Sequence, residues 1–105
     1  MYHSSGANVL HTTVSDADMT FKGNDGGSTI TALTLDMSAA GTAIFNHDAK
    51  FPDNAYLSMG AGLDLSLYSD GANAQIFADN GSLTLDVAGD IILDADGGEI
   101  FLKDG

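Results

Sequence analysis

Near the C-terminal end of this 105-residue chain a glycine recurs every eight residues, at Gly81, Gly89, Gly97 and Gly105. The octads between them read GSLTLDVA, GDIILDAD and GGEIFLKD. Leu83, Leu85 and Val87 alternate in the first, and Ile91, Leu93 and Ala95 hold the same positions in the second. In the third the doubled glycine Gly97-Gly98 shifts the frame by one, so Ile100 and Leu102 take over, while Asp86, Asp94 and Lys103 match as outward residues. Alternation of this kind is the signature of a strand with one face turned inward. About five residues make such a strand, and glycine supplies the backbone angles for the corner that follows. Each strand offers only two or three inward side chains. Units that small are completed by their neighbours in a solenoid or a fibre. A single-chain coil needs more than eight residues, and three octads would stack too few coils. In a triple-stranded β-helix each octad supplies one side of a triangular cross-section. That arrangement is the expectation, with Leu83, Leu85, Val87, Ile91, Leu93, Ile100 and Leu102 as the trimer core. Gly81, Gly89, Gly97 and Gly98 would form its corners.

Composition points the same way. All the acids but Glu99 are Asp, and 13 glycines accompany a single proline, Pro52. Surface helices draw on Glu, Gln, Lys and Arg, which are nearly absent, whereas Asp and Gly favour turns. An all-β fold follows. The formal charge of −12 repels phosphate backbones and anionic lipid, so neither nucleic acid nor a membrane surface is an expected partner. No apolar run approaches the roughly 20 residues of a spanning helix, and no signal peptide is read at the N-terminus. Without cysteine there is neither a disulfide framework nor a thiolate metal site. The apolar fraction of 44% sets the chain apart from disordered acidic tails.

The first eighteen residues are polar, with a short strand expected over Val9 to Val14. Met19 to Lys22 alternates, Gly23-Asn24-Asp25-Gly26-Gly27 signals a turn, and Ser28 to Met37 reads as a threonine-rich strand. Simple alternation places Thr31, Leu33, Leu35 and Met37 on one face of it. Thr42 to Phe45 is a further short strand, followed by a looser segment from Asn46 to Asn54. Leu63, Leu65 and Leu67 alternate before a turn at Ser69-Asp70-Gly71. Gln75 to Phe77 leads to Asp79-Asn80-Gly81, whose Asn-Gly step suits a hairpin. The expected division is an irregular β-rich head or joint over 1–59 and a repeat-based shaft over 60–105.

These residues carry a resemblance. The octads resemble the glycine-spaced repeats of triple-stranded β-helices in phage tail spikes. TFKGNDGGSTITALTLDMSAAGTAIFN (Thr20 to Asn46), GAGLDLSLYSDG (Gly60 to Gly71) and the stretch from Gly81 to Gly105 look like modules of tail-fibre proteins of marine phages. Together they span more than half of the chain. The resemblance implies an elongated, intertwined homotrimeric fibre of the virion, part of the host-attachment apparatus and extracellular after release. It implies further copies of the chain, neighbouring fibre or tail proteins and a host surface receptor as partners. No catalytic residue transfers with it. Related fibres often end in a self-cleaving chaperone domain, to which nothing here corresponds, so the chain reads as a portion of a longer fibre or a very short one.

Other constellations are weighed against plainer readings. Asp25, Asp79, Asp94 and Asp96 stand in Asp-Gly turns that superficially resemble calcium loops. The EF-hand spacing is absent and the nonapeptide calcium repeat does not fit a period of eight, so turn chemistry is preferred. His3, His11 and His47 lack ligand spacing, although a ring of three His47 side chains on a three-fold axis could hold an ion. No cofactor is expected; an axial or turn-bound cation is the one option kept. No nucleophile elbow, P-loop or cysteine nucleophile appears, and no enzyme is expected. Tyr56 and Tyr68 are the candidates for receptor contact, against packing as the plainer role of aromatic side chains. Two alternatives stand beside the fibre: a calcium-dependent single-chain β-solenoid adhesin, and a polysaccharide-acting tailspike fragment.

Overall fold

A computed structural model describes the backbone of residues 1–105 and all side chains except those of His3 and Ser4. The chain is all-β, without a helix among the described residues. Eight strands occur in order: β1 (Tyr2–Ser4), β2 (Ala7–Val9), β3 (Met19–Asp25), β4 (Ser28–Asp36), β5 (Thr42–Phe45), β6 (Tyr56–Met59), β7 (Leu65–Ser69) and β8 (Ala74–Ala78). They pair only with sequence neighbours: a ribbon β1-β2 and two antiparallel meanders, β3-β4-β5 and β6-β7-β8. The chain divides into two units, Met1–Phe51 and Pro52–Gly105.

Turn chemistry explains why each pairing is local. In the ribbon, Ser5 and Gly6 both take positive φ (48° and 86°) and close a two-residue hairpin. The expected strand over Val9 to Val14 therefore gives way to one ending at Val9, because the serine-glycine turn pairs Ala7–Val9 with Tyr2–Ser4. Between β3 and β4 only Gly26 and Gly27 turn, with φ of 59° and 95°, a conformation that β-carbon-bearing residues resist. The Gly27 N–H donates to Asn24 Oδ1 at 2.9 Å and holds the turn. Gly23, Asn24 and Asp25, expected to be part of the turn, are instead the end of β3. After β4, Asp36 closes the next reversal. Its Oδ1 accepts from Ser38 Oγ (2.7 Å) and the Ala39 N–H (3.1 Å), while its carbonyl accepts from the Gly41 N–H (2.8 Å).

The first sheet departs from simple alternation at one point. Phe21 pairs with Leu33, but the next residue, Lys22, pairs with Thr31, leaving Ala32 as an extra residue on β4. This β-bulge switches the face on which the earlier half of β4 lies. Ile30, opposite Gly23, joins Leu33 and Leu35; Thr31, expected there, moves to the other side with Lys22. One face thus carries the rows Phe21–Leu33–Phe45 and Met19–Leu35–Ala43, while the other carries Thr20–Thr34–Ile44 and Asp36–Thr42.

The second sheet is regular. One face holds the rows Leu57–Leu67–Ile76 and Met59–Leu65–Ala78, and the other holds Tyr56–Tyr68–Gln75 and Ser58–Ser66–Phe77. Residues 79–105 contain no strand.

Neither apolar face is covered to the point of burial. Among the described residues no hydrophobic side chain is buried, and Ser66 alone is fully enclosed, its hydroxyl without a partner. The chain exposes 9033 Å². A folded monomer of 10.8 kDa exposes about 5,500 Å².

Candidate functional site

The candidate residues fall mainly in two regions, the tyrosine face of the second sheet and the octads that follow it. Tyr56 and Tyr68 lie twelve positions apart in sequence, and the antiparallel register of β6 and β7 sets them directly opposite each other. Their rings stack with centroids 4.6 Å apart and planes inclined by 26°. The Tyr68 hydroxyl donates to Asn54 Oδ1 at 2.9 Å, which fixes the ring's tip. Asn54 is held by its own N–H, which donates to the Ser69 carbonyl at 2.8 Å, and takes a left-handed φ of 67°. Asparagine tolerates that conformation better than most residues.

The turn between β7 and β8 braces the same corner. Asp70 Oδ1 accepts from the N–H groups of Ala72 (2.9 Å) and Asn73 (2.7 Å), an Asx turn that closes the hairpin. The Asn73 N–H, followed by that of Ala72, holds the Asp70 carboxyl below the usual carboxylate range. Asp36 is held low in the same way, first by the Ser38 hydroxyl and then by the Ala39 N–H. Gly71 follows with φ of 92°, and a Cβ built there would lie 2.7 Å from Asp53 Oδ2. Asp53 and Asn54 on one side and the 69–73 turn on the other thus make one braced corner beside the tyrosine pair. Tyr56 remains 47% exposed, so one ring of the pair faces solvent while the other is anchored.

The octad residues lie apart from any ladder. Their side chains are exposed, from Val87 at 49% to Leu102 at 93%. Gly81 and Gly98 have positive φ, at 76° and 151°, whereas Gly89 and Gly97 lie outside that region. Asn80, expected to open a hairpin with Gly81, instead directs its Nδ2 to Asp64 Oδ1 at 3.2 Å, and no strand follows to pair with β8. The Asp79 N–H donates to the Asp64 carbonyl at 3.0 Å, the last backbone tie to the second sheet.

The remaining candidates are dispersed. Asp25 ends β3 at the hairpin tip, Asp79 follows β8, and Asp94 and Asp96 are in the strandless stretch. His47 Nδ1 lies 3.0 Å from Asp48 Oδ1, and Lys50 is 3.9 Å from the same carboxylate. His11 meets the Tyr2 ring edge-on at 6.2 Å, and the His3 side chain lies outside the described residues. No three His, Cys, Asp or Glu side chains converge among the described residues.

Sequence reasoning missed two features. The strand Tyr56–Met59 was hidden in a four-residue alternation whose partner stands across Gly60-Ala61-Gly62. Asn54, the anchor of Tyr68, carries no local signal at all, because the loop before β6 brings it there. Comparison with protein-family models, with curated proteins and with solved structures gives no match.

Proposed function

We propose that the chain is a non-catalytic structural segment of a bacteriophage tail fibre or spike, working as a homotrimer in the host-attachment apparatus of the virion. One observation carries this reading: no hydrophobic side chain among the described residues is buried, although the chain has apolar alternation in both sheets and in the octads. A chain with no core of its own obtains one from its partners, and identical partners in a closed ring are the common solution. The octads, with inward Leu83, Leu85, Val87, Ile91, Leu93, Ile100 and Leu102, are the natural seam. Three chains winding about one axis would pair each other's free backbone groups and leave no open sheet edge. Unfolding would then be slow, since the three chains have to part together.

Acidic residues on outward positions keep neighbouring fibres apart. Tyr56 and Tyr68 are the surface proposed for receptor contact, since one ring is exposed and the other is pinned by Asn54. The test is light scattering on the purified chain with and without chelator. The expected mass is three times 10.8 kDa, unchanged by chelation. A monomer would overturn the fibre, and a monomer that unfolds on chelation would establish the calcium-dependent solenoid instead.

A further inference from the structure

We propose that the apolar faces of the two three-stranded sheets are also interfaces between copies of this chain, so that self-association begins well before the octads. The inference rests on the reading of the chain as a self-assembling fibre segment and assigns it a second contact region. Each sheet has a more apolar face, although Ile44 and Phe77 lie on the opposite ones. In the first, the Phe21–Leu33–Phe45 row backs onto Thr20, Thr34 and Ile44; in the second, Leu57–Leu67–Ile76 backs onto Tyr56, Tyr68 and Gln75. The bulge at Ala32 sharpens the first by bringing Ile30 onto the apolar side and sending Thr31 to the threonine side. Antiparallel sheets with this alternation ordinarily have one face on a core. Here the apolar rows are open, with Phe45 at 53% and Ile76 at 63% exposure.

Charge and area together select the occupant. None of the four apolar rows contains a charged residue, in a chain with 15 acids. A copy carrying −12 can approach only where both surfaces are free of charge, and these rows offer that. The chain, its strandless residues 79–105 included, exposes about 3,500 Å² more than a folded monomer of its mass, above the roughly 1,000–2,500 Å² that each partner contributes to most obligate interfaces. A shortfall of that size is a requirement for folding rather than a transient docking patch, and obligate partners of a single chain are most simply its own copies.

Because the chain has no cysteine, single substitutions give clean thiol probes. Leu33→Cys and Leu67→Cys report the two apolar faces, and Thr34→Cys and Ser58→Cys the opposite ones. In the full-length protein the first pair is expected to react with a water-soluble maleimide about tenfold more slowly than the second. Nitroxides on Leu33→Cys or Leu67→Cys are expected to couple between chains and to lose that coupling on dilution with unlabelled protein. A trimer in which all four thiols react equally fast overturns this inference and leaves the fibre reading standing. A monomer overturns both, and a monomer with slow Leu33→Cys and Leu67→Cys shows the faces covered within one chain. Hydroxyl-radical footprinting of the unsubstituted protein makes the result independent of any folding defect in the variants: a single chain leaves Met1 89% and Met59 50% exposed, so near-complete protection of Met59 supports the proposal, and oxidation of Met59 at about half the rate of Met1 overturns it.

Discussion

The two meanders and the octads are built from the same alternation of apolar and polar residues, yet only the meanders form sheets. In β3-β4-β5 and β6-β7-β8 three of the four reversals are closed by specific turn chemistry. Gly26-Gly27 supplies two successive positive φ values, Asp36 captures Ser38 and Ala39, and Asp70 captures Ala72 and Asn73. A strand that reverses within two to five residues meets its neighbour at once and satisfies its backbone groups there. The octads have no such closure. Their glycines stand singly or as Gly97-Gly98, and the backbone hydrogen bond among them runs from the Gly98 N–H to the Ala95 carbonyl at 3.3 Å. A lone glycine lets the chain bend without folding it back on itself. Alternation therefore states that a segment wants to be a strand, and the turn decides whether its partner lies in the same chain.

The strongest way to break this comparison is to charge the octads. Leu85→Asp combined with Leu93→Asp places carboxylates on the proposed seam of all three chains, at several kcal/mol for each ion that would be buried. Loss of the trimer by light scattering, with the strand signal of circular dichroism from the meanders kept, is the expected result; an intact trimer would remove the octads from the interface. A smaller effect is expected in the second sheet. Gly71→Ala sets a Cβ against Asp53 Oδ2 at a φ of 92°, and strain of this kind costs about 1–3 kcal/mol. Denaturant melting of that variant, followed by Tyr56–Tyr68 fluorescence, is the measurement, and an unchanged midpoint would show the corner to be slack.

The smallest effect concerns pH. Asp70 is held low in the folded chain by the Asn73 and Ala72 N–H groups, so its contribution is complete above the unfolded value near 4 and fades as pH falls through the lower folded one. As pH falls below about 4 the wild-type turn is expected to loosen, whereas Asp70→Asn, which has no carboxylate to protonate, loses this slope. Hydrogen exchange at Ala72 and Asn73 across that range reads it directly, and parallel pH profiles for the two proteins would contradict the assignment.

Much of the fold is legible in local sequence because its pairings are local. Thr42 to Phe45 is a strand with the expected bounds, the strand from Ser28 ends at Asp36, one residue short of Met37, and the chain turns at Ser69-Asp70-Gly71 as its composition predicts. The failures share one cause. Val9 to Val14 looked like a strand on its own merits, but the Ser5-Gly6 hairpin had already taken Ala7–Val9 as the partner of Tyr2–Ser4. The swap of Ile30 for Thr31 arises from a bulge that depends on how β3 lies beside β4, and nothing in β4 alone announces it. The stacking of Tyr56 on Tyr68 depends in the same way on the register of two strands, which neither tyrosine's own neighbours reveal.

By itself, the sequence determined the class of structure. An excess of Asp and Gly with alternating Leu, Ile and Thr favours strands and tight turns, since the Glu, Gln, Lys and Arg that cover the wet faces of helices are nearly absent. It also determined the period of eight, a covalent property of the C-terminal segment. Only the tertiary structure decided which faces are apolar, because a single bulged residue reverses the side on which half a strand lies. It likewise decided that the two sheets are left without a core, a matter of how much surface the elements cover and not of which residues they contain.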